Sequence, residues 1–112
     1  MYRMNGENQI SLLKPIQINE ILIRKIIIGK HYREKHGQSM NDELIIQLVC
    51  SLDGKKFIPD STTQGIDYFA TDIQHRDLKN QLKVYRLVWL FEGQRLEIIG
   101  VINAFRVNKK RK

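Results

Sequence analysis

Cysteine is nearly missing: Cys50 is the single one in 112 residues. One thiol closes no internal disulfide and builds no cysteine-based zinc site, and such a chain is at ease in a reducing cytosol. Long hydrophobic runs are missing too. No stretch approaches the roughly 18–20 apolar residues that span a bilayer, and the Ile-rich segment Ile16–Ile28 is broken by Asn19, Glu20, Arg24 and Lys25. Met1–Asn8 is polar and has no charged-then-apolar leader pattern. A soluble, cytoplasmic protein without a membrane partner is expected. The seven glycines are scattered, so there is no Gly-rich phosphate loop, and no serine sits in a nucleophile-elbow context. His31 and His36 are five positions apart. On a helix that sets them about 140° apart, not at the i, i+4 spacing of helical zinc sites. Neither a metal nor a cofactor is expected.

Acid is the charge in short supply. Nineteen Lys and Arg face twelve Asp and Glu, a net charge of +7. The bases cluster at Arg24, Lys25, Lys30, Arg33 and Lys35, and again at Arg106 and Lys109–Lys112. Excess charge gathered this way favours a polyanionic partner, nucleic acid first. A solvated basic surface with a frayed tail is the plainer alternative.

What the chain does have is a strand-rich C-terminal half. Lys83–Arg106 is its longest β-branched and aromatic segment and holds the lone Trp89. Such residues suit a pleated surface, and Gly93 can take the positive φ of a tight turn. The pattern predicts a hairpin of about Val84–Phe91 with Arg95–Phe105. Ile66–Thr71 reads as a further strand, Phe57–Ile58 as a brief edge strand, and Asp72–Gln81 as a polar turn. Upstream, Leu44, Ile45, Leu48, Val49 and Leu52 recur at helical spacing. Ser39 is placed as an N-cap with Asp42 three residues on, predicting a helix over Met40–Ser51. Lys30–His36 contains good helix formers and ends at Gly37, a favourable C-cap residue. Ile16–Ile28 fits either a helix, favoured from about Asn19, or a short buried strand. Pro15 ends whatever Ile10–Lys14 forms. The resulting expectation is one α+β domain over 1–112, with N-terminal helices packed on a three- to four-stranded antiparallel sheet and a basic tail at 108–112.

Lys30–His36 concentrates two histidines, two lysines, an arginine and a tyrosine. This combination suits RNA cleavage without a metal. A base must take the ribose 2′-hydroxyl proton, an acid must protonate the leaving 5′-oxygen, and cations must steady the charge growing on phosphorus. Histidine serves either proton role near neutrality, and arginine grips phosphate through two bonds. An exposed basic helix with solvated histidines accounts for the same spacing.

The order KHYREKHG, amphipathic helix, loop and YRLVWLFEG…IIGVINAFR resembles the barnase–EndoU–colicin–RelE superfamily of small ribonuclease toxins. The likeness covers roughly Lys30–Arg106 and leaves residues 1–29 outside. It implies a metal-independent endoribonuclease acting on tRNA or mRNA, held inactive by an acidic antitoxin or immunity protein. Delivery into a target cell's cytoplasm is a further implication. Carried onto this chain, it points to His31, His36, Lys35 and Tyr85 as catalytic, and to Lys30, Arg33, Arg86, Asn103 and Arg106 as substrate-binding. The dense catalytic set of ribosome-dependent RelE toxins is not reproduced. Strand alternation sets Arg86 with Val84, Val88 and Leu90, Tyr85 with Leu87 and Trp89, and Asn103 with Ile99, Val101 and Phe105. A non-catalytic nucleic-acid-binding module, and a domain that meets an acidic protein, are the competing classes.

Overall fold

Asn19 and Glu20 both adopt left-handed backbone, with φ of 52° and 66°, and they decide the N-terminal half. Two consecutive left-handed residues make the tight turn whose twist matches paired strands. The Ile-rich segment therefore folds as a hairpin of β2 (Gln9–Ile18) and β3 (Ile21–Ile28), not as a helix. In this computed structural model, residues 2–4, 9–29, 40–77, 79–93 and 95–107 are described. Among them stand seven strands and one helix, so the expected N-terminal helices on a small antiparallel sheet are corrected to a mostly-sheet, mixed architecture. The expected helix over Lys30–His36 and the Ser39 cap lie outside the described residues.

β1 (Tyr2–Met4) pairs with β2 at one edge. Helix α1 is Asp42–Cys50, and it is followed by β4 (Ser61–Thr63), β5 (Ile66–Arg76), β6 (Leu82–Glu92) and β7 (Ile98–Val107). The sheet order is β1-β2-β3-β7-β6-β5-β4. All junctions are antiparallel except β3 with β7, where Lys25–Ile28 run beside Ile98–Val101. That parallel contact joins two segments some seventy residues apart, which local patterning does not reveal. Pro15 does not end a strand. It sits where the β2–β3 register shifts between Ser11 and Ile16, and a bulge tolerates a residue that cannot donate.

The helix begins two residues later than expected, with Asn41 as its cap. Asn41 is extended (φ −148°) and its Oδ1 accepts from the Leu44 amide at 2.8 Å. Asp42 and Glu43 then place negative charge at the positive end of the helix dipole. Ile45, Ile46, Leu48 and Val49 are buried and α1 packs on β6. Burial stabilises by about 1.5–3 kcal/mol for each such side chain, so α1 holds by its apolar stripe more than by its nine-residue length.

The core lies between α1 and one face of the sheet. Trp89 is its centre: its ring stacks on Phe69 at 4.3 Å and meets Phe57 and Phe91 edge-on, while Nε1 donates to Thr71 Oγ1 at 3.1 Å. Phe57 is held here by Asn19, whose Nδ2 donates to the Phe57 carbonyl and whose Oδ1 accepts the Phe57 amide. Phe57–Ile58 is therefore an anchored loop, not a strand. β5 runs on through Asp72–Arg76, where a polar turn was expected, because its outward residues face solvent while Phe69, Thr71 and Ile73 face inward.

Candidate functional site

Tyr85 and Arg106 stand directly opposite each other on β6 and β7. Both project from the helix-bearing face. Tyr85 is fully buried, and the Arg106 guanidinium carbon lies 6.0 Å from the centre of its ring. The Tyr85 hydroxyl and Arg106 Nε are both buried with no hydrogen-bond partner among the described residues. One guanidinium nitrogen of Arg106 reaches Asp77 Oδ2 at 3.4 Å. Asp77 in turn accepts the Gln81 and Lys79 amides, each at 2.9 Å. These hold its carboxyl below the usual carboxylate range, the Gln81 amide foremost, with Lys79, Arg106 and Lys83 adding to the effect against partial desolvation. Asp77 also lines a cavity of about 190 Å³ with Asn41, Glu43 and Gln47, so this cluster borders the first turn of α1.

Arg86 and Asn103 lie on the opposite face. Arg86 is bound bidentately by Asp72, with Nε–Oδ1 at 2.7 Å and the second pair at 3.0 Å. The Asp72 carboxylate keeps the guanidinium protonated even more firmly than usual. Asn103 was expected beside Ile99 and Val101. The register instead shifts between Val88 and Trp89, so that Val88 meets Asn103 and Trp89 meets Val101. The intervening Ile102 is the extra residue of a bulge, and one inserted residue moves all that follow to the other face. Asn103 spends its side-chain oxygen on the Ala104 amide at 2.9 Å, capping the backbone beside the bulge. The same shift brings Arg106 round to Tyr85.

Lys30, His31, Arg33, Lys35 and His36 lie outside the described residues. The residues that bracket them are described. Gly29 donates to the Val101 carbonyl at 2.8 Å, on a strand parallel to β7 and directed toward the Arg106 end of it. Met40 is buried just before the Asn41 cap. Of the predicted residues that are described, Tyr85 and Arg106 come together and Arg86 and Asn103 do not join them. Asp77 and Asp72 were missed. Asp72 became visible as the partner of Arg86 only once β5 was seen to extend past Thr71.

A second polar cluster sits at the far end of β7. Arg24, Arg95 and Glu97 border a hollow of about 380 Å³, and Glu97 Oε2 is buried with no partner among the described residues. The described residues contain no group of three or more His, Cys, Asp or Glu that would hold a metal ion. They also contain no helix long and apolar enough to cross a membrane. Comparison of the chain with protein-family models, with curated proteins and with solved structures finds no match.

Proposed function

We propose that the protein is a metal-independent endoribonuclease of the toxin class. It cleaves RNA in the cytoplasm by attack of the ribose 2′-hydroxyl, and an acidic antitoxin or immunity protein holds it in check. The observation that carries the reading is the Tyr85–Arg106 pair. The Tyr85 hydroxyl and Arg106 Nε are buried with no hydrogen-bond partner among the described residues, although another guanidinium nitrogen of Arg106 reaches Asp77; such buried unpaired atoms cost free energy and are retained where strain serves a site. Arg106 supplies a cation for phosphate, and His31 or His36 transfers the proton. The net charge of +7 also supports a polyanionic substrate such as RNA.

A second reading, a non-catalytic nucleic-acid-binding module, is favoured by Arg86. Its guanidinium is engaged by Asp72 on the face away from Tyr85, which leaves fewer cations at one site than cleavage would use. Expression in cells separates the two. The nuclease arrests growth and fragments RNA, and His31→Ala with His36→Ala abolishes both effects. A binding module is tolerated, and its salt-sensitive RNA binding survives the double substitution.

A further inference from the structure

We infer that the hollow where β3 and β7 begin binds a small aliphatic zwitterion of the free α-amino acid class. The two strands run parallel, so both start at the same end of the sheet, and the register that sets Lys25 beside Ile98 brings Glu97 beside Arg24. The Arg24 amide donates to the Glu97 carbonyl at 2.9 Å and ties the two segments together. Arg95 comes from the β6–β7 turn. Leu96 closes this turn, with its amide on the Gly93 carbonyl at 3.1 Å and left-handed backbone at φ 58°. A leucine at positive φ is strained, and such residues gather at ligand clamps. Ile21 and Leu22 complete the lining, and the volume of about 380 Å³ is that of a small-molecule site.

Charge and burial define the ligand. Arg24 and Arg95 are exposed, and neither has an ion pair among the described residues. Two guanidiniums flanking one hollow repel each other and attract a carboxylate, whose geometry their planar forks match. Glu97 has the opposite need. It is half-buried, and its Oε2 is shielded from water without a bond. An unpaired buried acceptor costs free energy, and an ammonium donor in the hollow removes that cost. The last side-chain torsion of glutamate is broad, so the carboxyl turns toward such a donor easily.

Neighbouring charges leave this balance intact. Glu20 pairs with Lys56. Lys25 and Glu92 stand on either side of Ile98 with opposite signs, and Glu92 lies over Gly100. Phosphate fits poorly, because its oxygens only accept hydrogen bonds and its charge would meet Glu97. A lone cation would meet two arginines. A carboxylate and an ammonium on one carbon satisfy both sides, and Leu22, 46% exposed, offers its free surface to an aliphatic side chain. Arg106 lies toward the other end of β7, roughly 25–30 Å away at about 3.3 Å per residue. The hollow is thus separate from the Tyr85–Arg106 cluster, and the inference stands independently of the nuclease reading.

The test titrates the whole chain with L-leucine and follows the backbone amides by NMR. Shifts are expected at Leu22, Arg24 and Arg95–Glu97, with a Kd of about 1 mM or below. Isocaproate, which lacks the ammonium, and isoamylamine, which lacks the carboxylate, are each expected to bind about tenfold or more weakly. Arg24→Ala with Arg95→Ala is expected to abolish binding of leucine and isocaproate alike. Glu97→Gln is expected to weaken leucine by about tenfold without weakening isocaproate. Arg24 and Arg95 are exposed, so the double variant keeps the fold, and the ligand series needs no variant at all. No shift at these amides with leucine at about 10 mM, isocaproate binding as tightly as leucine, or inorganic phosphate binding more tightly than leucine would each overturn the inference.

Discussion

Tyr85→Phe separates structural from functional roles at the candidate site. The hydroxyl is fully buried and has no hydrogen-bond partner among the described residues. A buried hydroxyl without a bond costs about 1–3 kcal/mol relative to water. Phenylalanine keeps the ring that Arg106 faces at 6.0 Å and drops only the oxygen. Allowing for the small void left behind, the variant should gain about 1 kcal/mol. In a domain of this size that is a rise of roughly 4–6 °C in Tm. Thermal and urea unfolding, followed by the fluorescence of the lone Trp89, give the answer directly. Trp89 is buried at the core, so its emission reports the global transition. On the nuclease reading the same variant loses about tenfold or more in RNA cleavage, as when a site keeps a group that stability would discard. A loss of stability of about 1 kcal/mol or more, set against the gain expected from an orphaned hydroxyl, would show that the hydroxyl has a partner in the folded protein and refute the reasoning.

Gly100→Ala should cost less than about 1 kcal/mol in urea unfolding, because the added Cβ would meet only the flexible Glu92 side chain, which can swing aside. Asn19→Ala removes both bonds to the Phe57 backbone from a residue with φ of 52°, and should cost about 2–4 kcal/mol in the same assay. Asp77 titrates below its ordinary value of 3.8, so its contribution is present above that pH and fades as pH falls through the lower folded value. Asp77→Asn should therefore flatten the decline of the urea midpoint between pH 5 and pH 3, and an unchanged slope would show that Asp77 does not contribute.

The hairpin of β6 and β7 was legible because β-branched and aromatic residues flank Gly93, whose φ is 91°. Alternation then sorted Tyr85 from Arg86 correctly. It failed at Asn103, since a single extra residue at Ile102 reverses the faces and nothing in IIGVINAFR marks it. For Ile16–Ile28, open to either helix or strand, the helix was favoured because its turn has no glycine. Asn19 tolerates left-handed backbone through its short polar side chain, but Glu20 gives no such signal. The β3–β7 contact is long-range and parallel, a kind of pairing that short windows do not encode. Half of the candidate site was thus readable in outline, and the Arg106–Asp77 and Arg86–Asp72 pairings had to be seen.

The most direct measurement incubates the purified, partner-free protein with total tRNA in EDTA and maps the ends of the fragments. Discrete products ending in 2′,3′-cyclic phosphate, lost in the His31→Ala, His36→Ala double variant and strongly reduced in Arg106→Ala, are the predicted result. Intact RNA, or cleavage that persists without both histidines, would contradict the account.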